Sequence, residues 1–138
     1  MTQRSLLLIK PNAVEHRHVG HIVSILEGAG YQLRQMREFQ FTPETAGIFY
    51  AIHKGKEFFP RLVQFMCSGP TVAIVLEKEN AISDLRELIG EVDPAQRHGG
   101  TLRDLYAEGV TENAVHASDS KENAQQEIAL LFGPQARI

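Results

Sequence analysis

The chain has 138 residues, 43% apolar and 22% charged, with 14 Lys and Arg against 17 Asp and Glu. That length predicts one domain able to bury a core without covalent staples. A formal charge of −3, with a pI near 6.1, argues against a general nucleic-acid or anionic-membrane binder, which needs a basic excess, and the single cysteine, Cys67, excludes an internal disulfide or a cysteine-cluster metal site.

In chain order, the apolar run of residues 6–9 predicts a buried strand over 5–10, stopped by Pro11 and Asn12. It is shorter than the core of a signal peptide, and no later run reaches membrane-spanning length, so the cytoplasm is the expected compartment. Val19, Ile22, Val23, Ile25, Leu26 and Ala29 repeat with helical period and end at Gly28 and Gly30, which predicts a helix over 19–29. A second strand is expected over 31–41, with an alternation that slips near Met36 and predicts a bulge. Thr42 and Pro43 open a helix that carries Ile48, Phe49 and Ile52 and breaks at Gly55. A short helix over 58–66 follows, then the clearest strand of the chain, 71–77, and a helix capped by Asn80 and ended by Gly90. Residues 91–100 lose all periodicity and read as a surface loop; 101–106 read as one helical turn. The chain then reaches a short strand carrying His116 and a final helix over 121–132, for which Asp119 and Glu122 have the spacing of a capping box. Residues 133–138 are expected to form a loose tail.

This order is β-α-β, a helical pair, then β-α-β-α. It matches a ferredoxin-like split βαβ sandwich of the α+β class: a four-stranded, mostly antiparallel sheet with helices.

No G-x-x-x-x-G-K-[ST] loop and no G-x-G-x-x-G fingerprint occur, so phosphates would have to be bound by dispersed cations. The informative stretch is N-A-V-H-A-S-D-S, residues 113–120, with Glu127 farther along the helix. It delivers a histidine beside a helix N-terminus, where unpaired N–H groups and the helix dipole favour an anion, and a neutral imidazole is a competent nucleophile. With I-K-P-N-A-V (9–14), F-Y-A-I-H (49–53), F-F-P (58–60), F-M-C-S-G-P (65–70), L-R-E-L-I-G (85–90) and G-T-L-R (100–103), this pattern resembles the nucleoside diphosphate kinases across most of the chain.

The resemblance implies a single nucleoside diphosphate kinase-like domain over 1–138. It would carry the γ-phosphate of a nucleoside triphosphate, usually ATP, to a nucleoside diphosphate through a phosphohistidine. It implies that His116 is the nucleophile, that Ser118 and Glu127 orient it, and that the Tyr50 hydroxyl reaches it. Lys10, Arg86 and Arg103 would bind phosphates, and Lys10 the ribose as well. Phe58 would stack on the base, Val110 would close its far side and Asn113 would bond the sugar. Magnesium would come as cofactor, held mainly by the nucleotide's phosphates and not by a protein cage. Tri- and diphosphates are the expected partners, with no nucleic acid and no membrane, and the assembly a homo-oligomer, tetramer or hexamer.

Three positions depart from the family pattern. Val92 stands where a phosphate-binding threonine is common, Ala117 where glycine is commoner, and Gly99 precedes Gly100 where proline is often found. A non-catalytic small-ligand module could share the topology, because fold does not fix function; it would not need His116, Arg86 and Arg103 together. An RNA-recognition module should carry aromatics on its central strands, and residues 5–10 and 71–77 have none. His16, His18 and His21 match no ligand spacing for a metal and read as a solvated or subunit-facing patch.

Overall fold

Strand β1 (Thr2–Ile9) and strand β3 (Thr71–Glu79) are the centre of the molecule because their side chains are apolar on both faces. The structure, a computed structural model, describes residues 2–133; of the expected tail, 134–138 lie outside them. Between the two strands come helices α1 (Pro11–Glu15) and α2 (Val19–Gly28), strand β2 (Gln32–Phe39), helix α3 (Pro43–Phe49), a 3₁₀ turn (Ala51–His53) and helix α4 (Phe59–Met66). After β3 follow helix α5 (Ala81–Ile89), a 3₁₀ turn (Pro94–Gln96), helix α6 (Leu102–Tyr106), strand β4 (Val115–Ala117) and helix α7 (Lys121–Phe132).

The sheet order is β2-β3-β1-β4, and all three pairings are antiparallel, with Leu8 opposite both Ala73 and His116. This is the split βαβ arrangement. Leu7, Ile9, Ile74 and Leu76 point to one face and pack with Ile22 and Leu26 of α2 and Leu85 and Ile89 of α5. Leu6, Leu8, Ala73 and Val75 point to the other and pack with Ala46, Leu62, Met66, Ile128 and Leu131. A strand buried on both faces reads as a continuous apolar run, which is why these two strands were the easiest to see in the sequence.

Several boundaries differ from expectation. Pro11 does not merely stop β1 but opens α1, occupying the first turn where its missing N–H is no loss. The bulge in β2 lies between Leu33 and Gln35, ahead of Met36. The helix after Thr42 ends at Phe49 and gives way to the 3₁₀ turn. Asn80 occupies the N-cap of α5, but its side chain bonds Asp84 Oδ1 at 3.1 Å and not a backbone N–H. The expected capping box of α7 shifts by one residue: Ser120 is the N-cap, its Oγ accepting from the Asn123 N–H at 3.0 Å, while Asp119 accepts from the Asn123 side chain. The run S-D-S offers several cap residues at adjacent positions, and the extended backbone of Ser120 selects it.

Candidate active site

The C-terminal end of β1, the short β4 and the first turns of α7 meet the α3–α4 pair on one side and the 91–113 loops on the other. The cavity between them measures about 500 Å³ and is lined by Lys10, Tyr50, Phe58, Arg86, Val92, Arg103, Val110, Asn113, His116 and Glu127 among others. Ten of the eleven residues singled out in the sequence therefore face one space. The eleventh, Ser118, is fully buried behind it and bonds Glu127.

His116 projects from β4 with its Nε2 at 3.2 Å from Glu127 Oε1. Ser118 Oγ donates to the same carboxylate oxygen at 2.6 Å, so Glu127 Oε1 is shared between the hydroxyl and the ring. A neutral imidazole that donates from Nε2 keeps its lone pair on Nδ1. The edges of Phe49 and Tyr50 flank the ring, at centroid distances of 5.2 and 6.0 Å. The Tyr50 hydroxyl, expected to reach the histidine, is buried with no hydrogen-bond partner among the described residues. Burial, with the Glu127 charge behind it, holds the phenol strongly protonated.

Three cations converge here without a carboxylate in ion-pair contact among the described residues. Lys10 is 4% exposed; burial first, then the neighbouring Arg103, pulls its ammonium down to about 7, with Glu112 opposing. Arg103 is 7% exposed and donates to Gly90 O at 2.9 Å and Val115 O at 3.0 Å, its Nε buried without a partner among the described residues. Burial, Arg86 and Arg97 lower it to about 10. Arg86 donates to Ala117 O at 3.2 Å. Carbonyl anchors aim these guanidiniums without neutralising them, so the site is set up for an anion.

Gly90 is what lets the Arg103 wall close. Its φ is +86°, and a Cβ there would lie 2.4 Å from Thr101 Oγ1, so neither the backbone nor the space admits another residue without a shift. Arg97, which sequence reasoning passed over, ties the loop down by donating to Glu91 O at 2.7 Å and Val92 O at 2.8 Å. His53 was also missed, although it ends the F-Y-A-I-H motif. It lines the cavity, stacks on Tyr50 and contacts Lys56 Nζ through Nδ1 at 3.2 Å. Burial, Lys56, His116 and Lys10 all favour its neutral form. Asn113 donates to Val110 O at 2.8 Å, and among the described residues its Oδ1 is buried and unpaired.

The three histidines of the trio have separate surroundings. His16 sits 3.1 Å from Glu108 Oε1, His18 packs on the Tyr106 ring, and His21 is exposed. Among the described residues no group of three or more His, Cys, Asp or Glu is placed to hold a metal. A wider hollow of about 810 Å³ between α3 and α4 is lined by Pro43, Glu44, Ile48, Phe59 and Cys67, with Lys54 its one cation among the described residues, and so lacks the charge of the His116 cavity.

The profile of one protein family, nucleoside diphosphate kinase, matches residues 3–137. The chain belongs to the nucleoside diphosphate kinase family. Proteins carrying that name are 52% identical in Actinobacillus pleuropneumoniae serotype 3 (strain JL03), over 97% of both chains. They are 47% identical in Chlorobaculum tepidum, over 96% of this chain and 95% of the relative. The fold superposes on the Aquifex aeolicus nucleoside diphosphate kinase with a TM-score of 0.94 at 40% identity, covering all of both chains. It also superposes on that of Encephalitozoon cuniculi with a TM-score of 0.94 at 32% identity, over 99% of this chain and 92% of the other. The ferredoxin-like sheet read from the element order is thus the nucleoside diphosphate kinase fold.

Proposed function

We propose that the chain transfers the γ-phosphate of a nucleoside triphosphate to a nucleoside diphosphate, with His116 carrying the phosphoryl group between the two. The observation that carries this reading is the imidazole held by Glu127 through Nε2, with its other nitrogen free in a cavity lined by Lys10, Arg86 and Arg103.

In the first half-reaction the Nδ1 lone pair forms an N–P bond to the γ-phosphorus while the bond from that phosphorus to the β-phosphate oxygen breaks, and the diphosphate leaves with the electron pair. No proton needs to move, because Nδ1 carries none and the Nε2–H remains donated to Glu127. The positive charge that develops on the ring is met by that carboxylate, which Ser118 keeps in place. A second diphosphate then reverses the step. Lys10, Arg86 and Arg103 offset the charge that spreads over the phosphate oxygens, which with positioning is most of what phosphoryl transfer asks of a protein.

Magnesium fits the donor set as a partner of the nucleotide: without a protein cage, its hard-oxygen shell would come from phosphates and water, with Asp119 at the cavity wall available through water. Bound there it would neutralise phosphate charge. Phe58 offers its ring to the base from one side of the cavity and Val110 closes the other, a sequence-tolerant arrangement. We place the chain in the cytoplasm as a homo-oligomer, tetramer or hexamer, on the family resemblance; among the described residues no helix is long and apolar enough to cross a membrane.

The test is incubation with magnesium and γ-labelled ATP, followed by a chase with a diphosphate. Acid-labile label should appear on the protein and leave as labelled triphosphate, and His116→Ala should take up none. Label retained in that variant would move the nucleophile elsewhere.

A further inference from the structure

The two walls that would hold a nucleoside are far apart in sequence. Phe58 stands at the N-cap of α4, while Val110 and Asn113 lie on the loop between α6 and β4; both Phe58 and Val110 are exposed and both line the cavity. The loop is fixed at its base by Asn12, whose Nδ2 donates to Glu108 Oε1 at 3.0 Å and to Glu112 O at 3.2 Å. Arg61 joins it to α4. Arg61, one turn into that helix, donates through one nitrogen to both carboxylate oxygens of Glu112, at 3.0 and 2.9 Å, and through Nε to Thr111 Oγ1 at 3.2 Å. None of these three residues has a place in the phosphoryl-transfer scheme.

We infer that Arg61, Glu112 and Thr111 form a clasp across the cavity mouth that sets the spacing between Phe58 and Val110, and so positions the nucleoside half of the ligand. The inference rests on the nucleotide reading above. Arg61 is about two-thirds exposed and Glu112 under one-third, with side-chain values of 66% and 29%, so solvent screens the pair. Its effect comes from geometry: a fork that engages a carboxylate and a hydroxyl together fixes both direction and distance, as one charge contact would not. A slot held at its working width before the ligand arrives loses less freedom on binding. Thr111 lines the cavity with its hydroxyl engaged by Arg61, so the clasp acts through spacing and its contribution should be the same for purine and pyrimidine nucleotides. Arg61 is a positioning residue on this account. Glu112 has a second role, because its charge also opposes the lowering of Lys10; a change at Glu112 therefore alters the phosphate half as well, and the readout has to separate the two halves.

The experiment is calorimetric binding of ADP, CDP and inorganic pyrophosphate to the full chain, taking the ratio of each nucleotide's Kd to that of pyrophosphate. In Arg61→Met, which keeps the apolar stem, both ratios should rise by about two- to fivefold, the range of an exposed but multiply bonded ion pair. The charge exchange Arg61→Glu with Glu112→Arg should bring them back toward the starting values. Unchanged ratios in Arg61→Met, or an exchange that weakens nucleotides further than either single change, would overturn the clasp while leaving nucleotide binding by the unaltered chain intact. Failure of the unaltered chain to bind ADP would instead remove the nucleotide reading, and the clasp with it.

Discussion

Lys10 shows how one residue can couple binding to pH. Its ammonium is held down to about 7 by burial and by Arg103, so above that pH the free site loses a charge. A bound diphosphate supplies the missing counter-charge and raises the pKa, so binding takes up a proton wherever the pH lies between the free and bound values. ADP affinity should therefore fall as pH rises above 7, and titrations at pH 8 in two buffers of different ionisation enthalpy should show proton uptake that disappears in Lys10→Met. The sign for folding is related: the unfolded lysine binds a proton that the folded one resists, so this group imposes a cost on folding that is full below about 7 and fades as pH rises toward its unfolded value. Val92 poses a different question. It lines the cavity, and its backbone carbonyl is held by Arg97, so a threonine there would present a hydroxyl without moving the loop. A hydrogen bond to a charged partner contributes about 1.5–3 kcal/mol, part of which water supplies in an open cleft. Val92→Thr should thus raise kcat/KM a few-fold in steady-state assays with ATP and a diphosphate, with the melting temperature of the nucleotide-free chain little changed.

At the scale of elements, α7 carries Glu127 to His116, and its first turn decides where that carboxylate falls. Ser120, not Asp119, accepts from the backbone at Asn123, so the two residues make unequal contributions despite being neighbours. Ser120→Ala should lower the unfolding free energy by about 1 kcal/mol, the usual effect of losing a cap. Asp119→Ala removes a side-chain contact at an exposed position and should cost less. Denaturant titration of both variants is the check, and equal losses would mean that Asp119 also caps the helix in solution. The 91–100 segment makes the complementary point. It has no periodicity to read, yet Arg97 and Gly90 organise it through backbone carbonyls and a left-handed turn, so that Arg103 lies against β4.

For the whole molecule, the sheet has to be rigid because it carries Lys10 at the end of one strand and His116 on the next. Leu8 is fully buried and lies opposite both Ala73 and His116, so Leu8→Ala would open a cavity beside the histidine, on the same face of the sheet. The expected loss is about 2–5 kcal/mol of stability, measured by denaturant unfolding. Turnover at temperatures where the variant stays folded should fall as well, since a small displacement of an attacking group is costly. A variant with full turnover and normal stability would show that the sheet tolerates repacking at this point.

Much of this was decided locally and could be read without the fold. The apolar runs of β1 and β3, the helix ends at Gly90 and Pro43, and the string N-A-V-H-A-S-D-S are statements about neighbouring residues, and the element order follows from them. What only the tertiary structure decided depends on distance across the sheet and between loops. Examples are the burial of the Tyr50 hydroxyl, the lowered Lys10 ammonium, the choice of Ser120 over Asp119, and the pairing of Arg61 with a carboxylate fifty-one positions away. Burial and charge proximity act through space, and the sequence orders residues along a line. A lysine at a strand end looks the same whether it meets solvent or is buried beside Arg103, and the packing of the loops against β4 makes the difference.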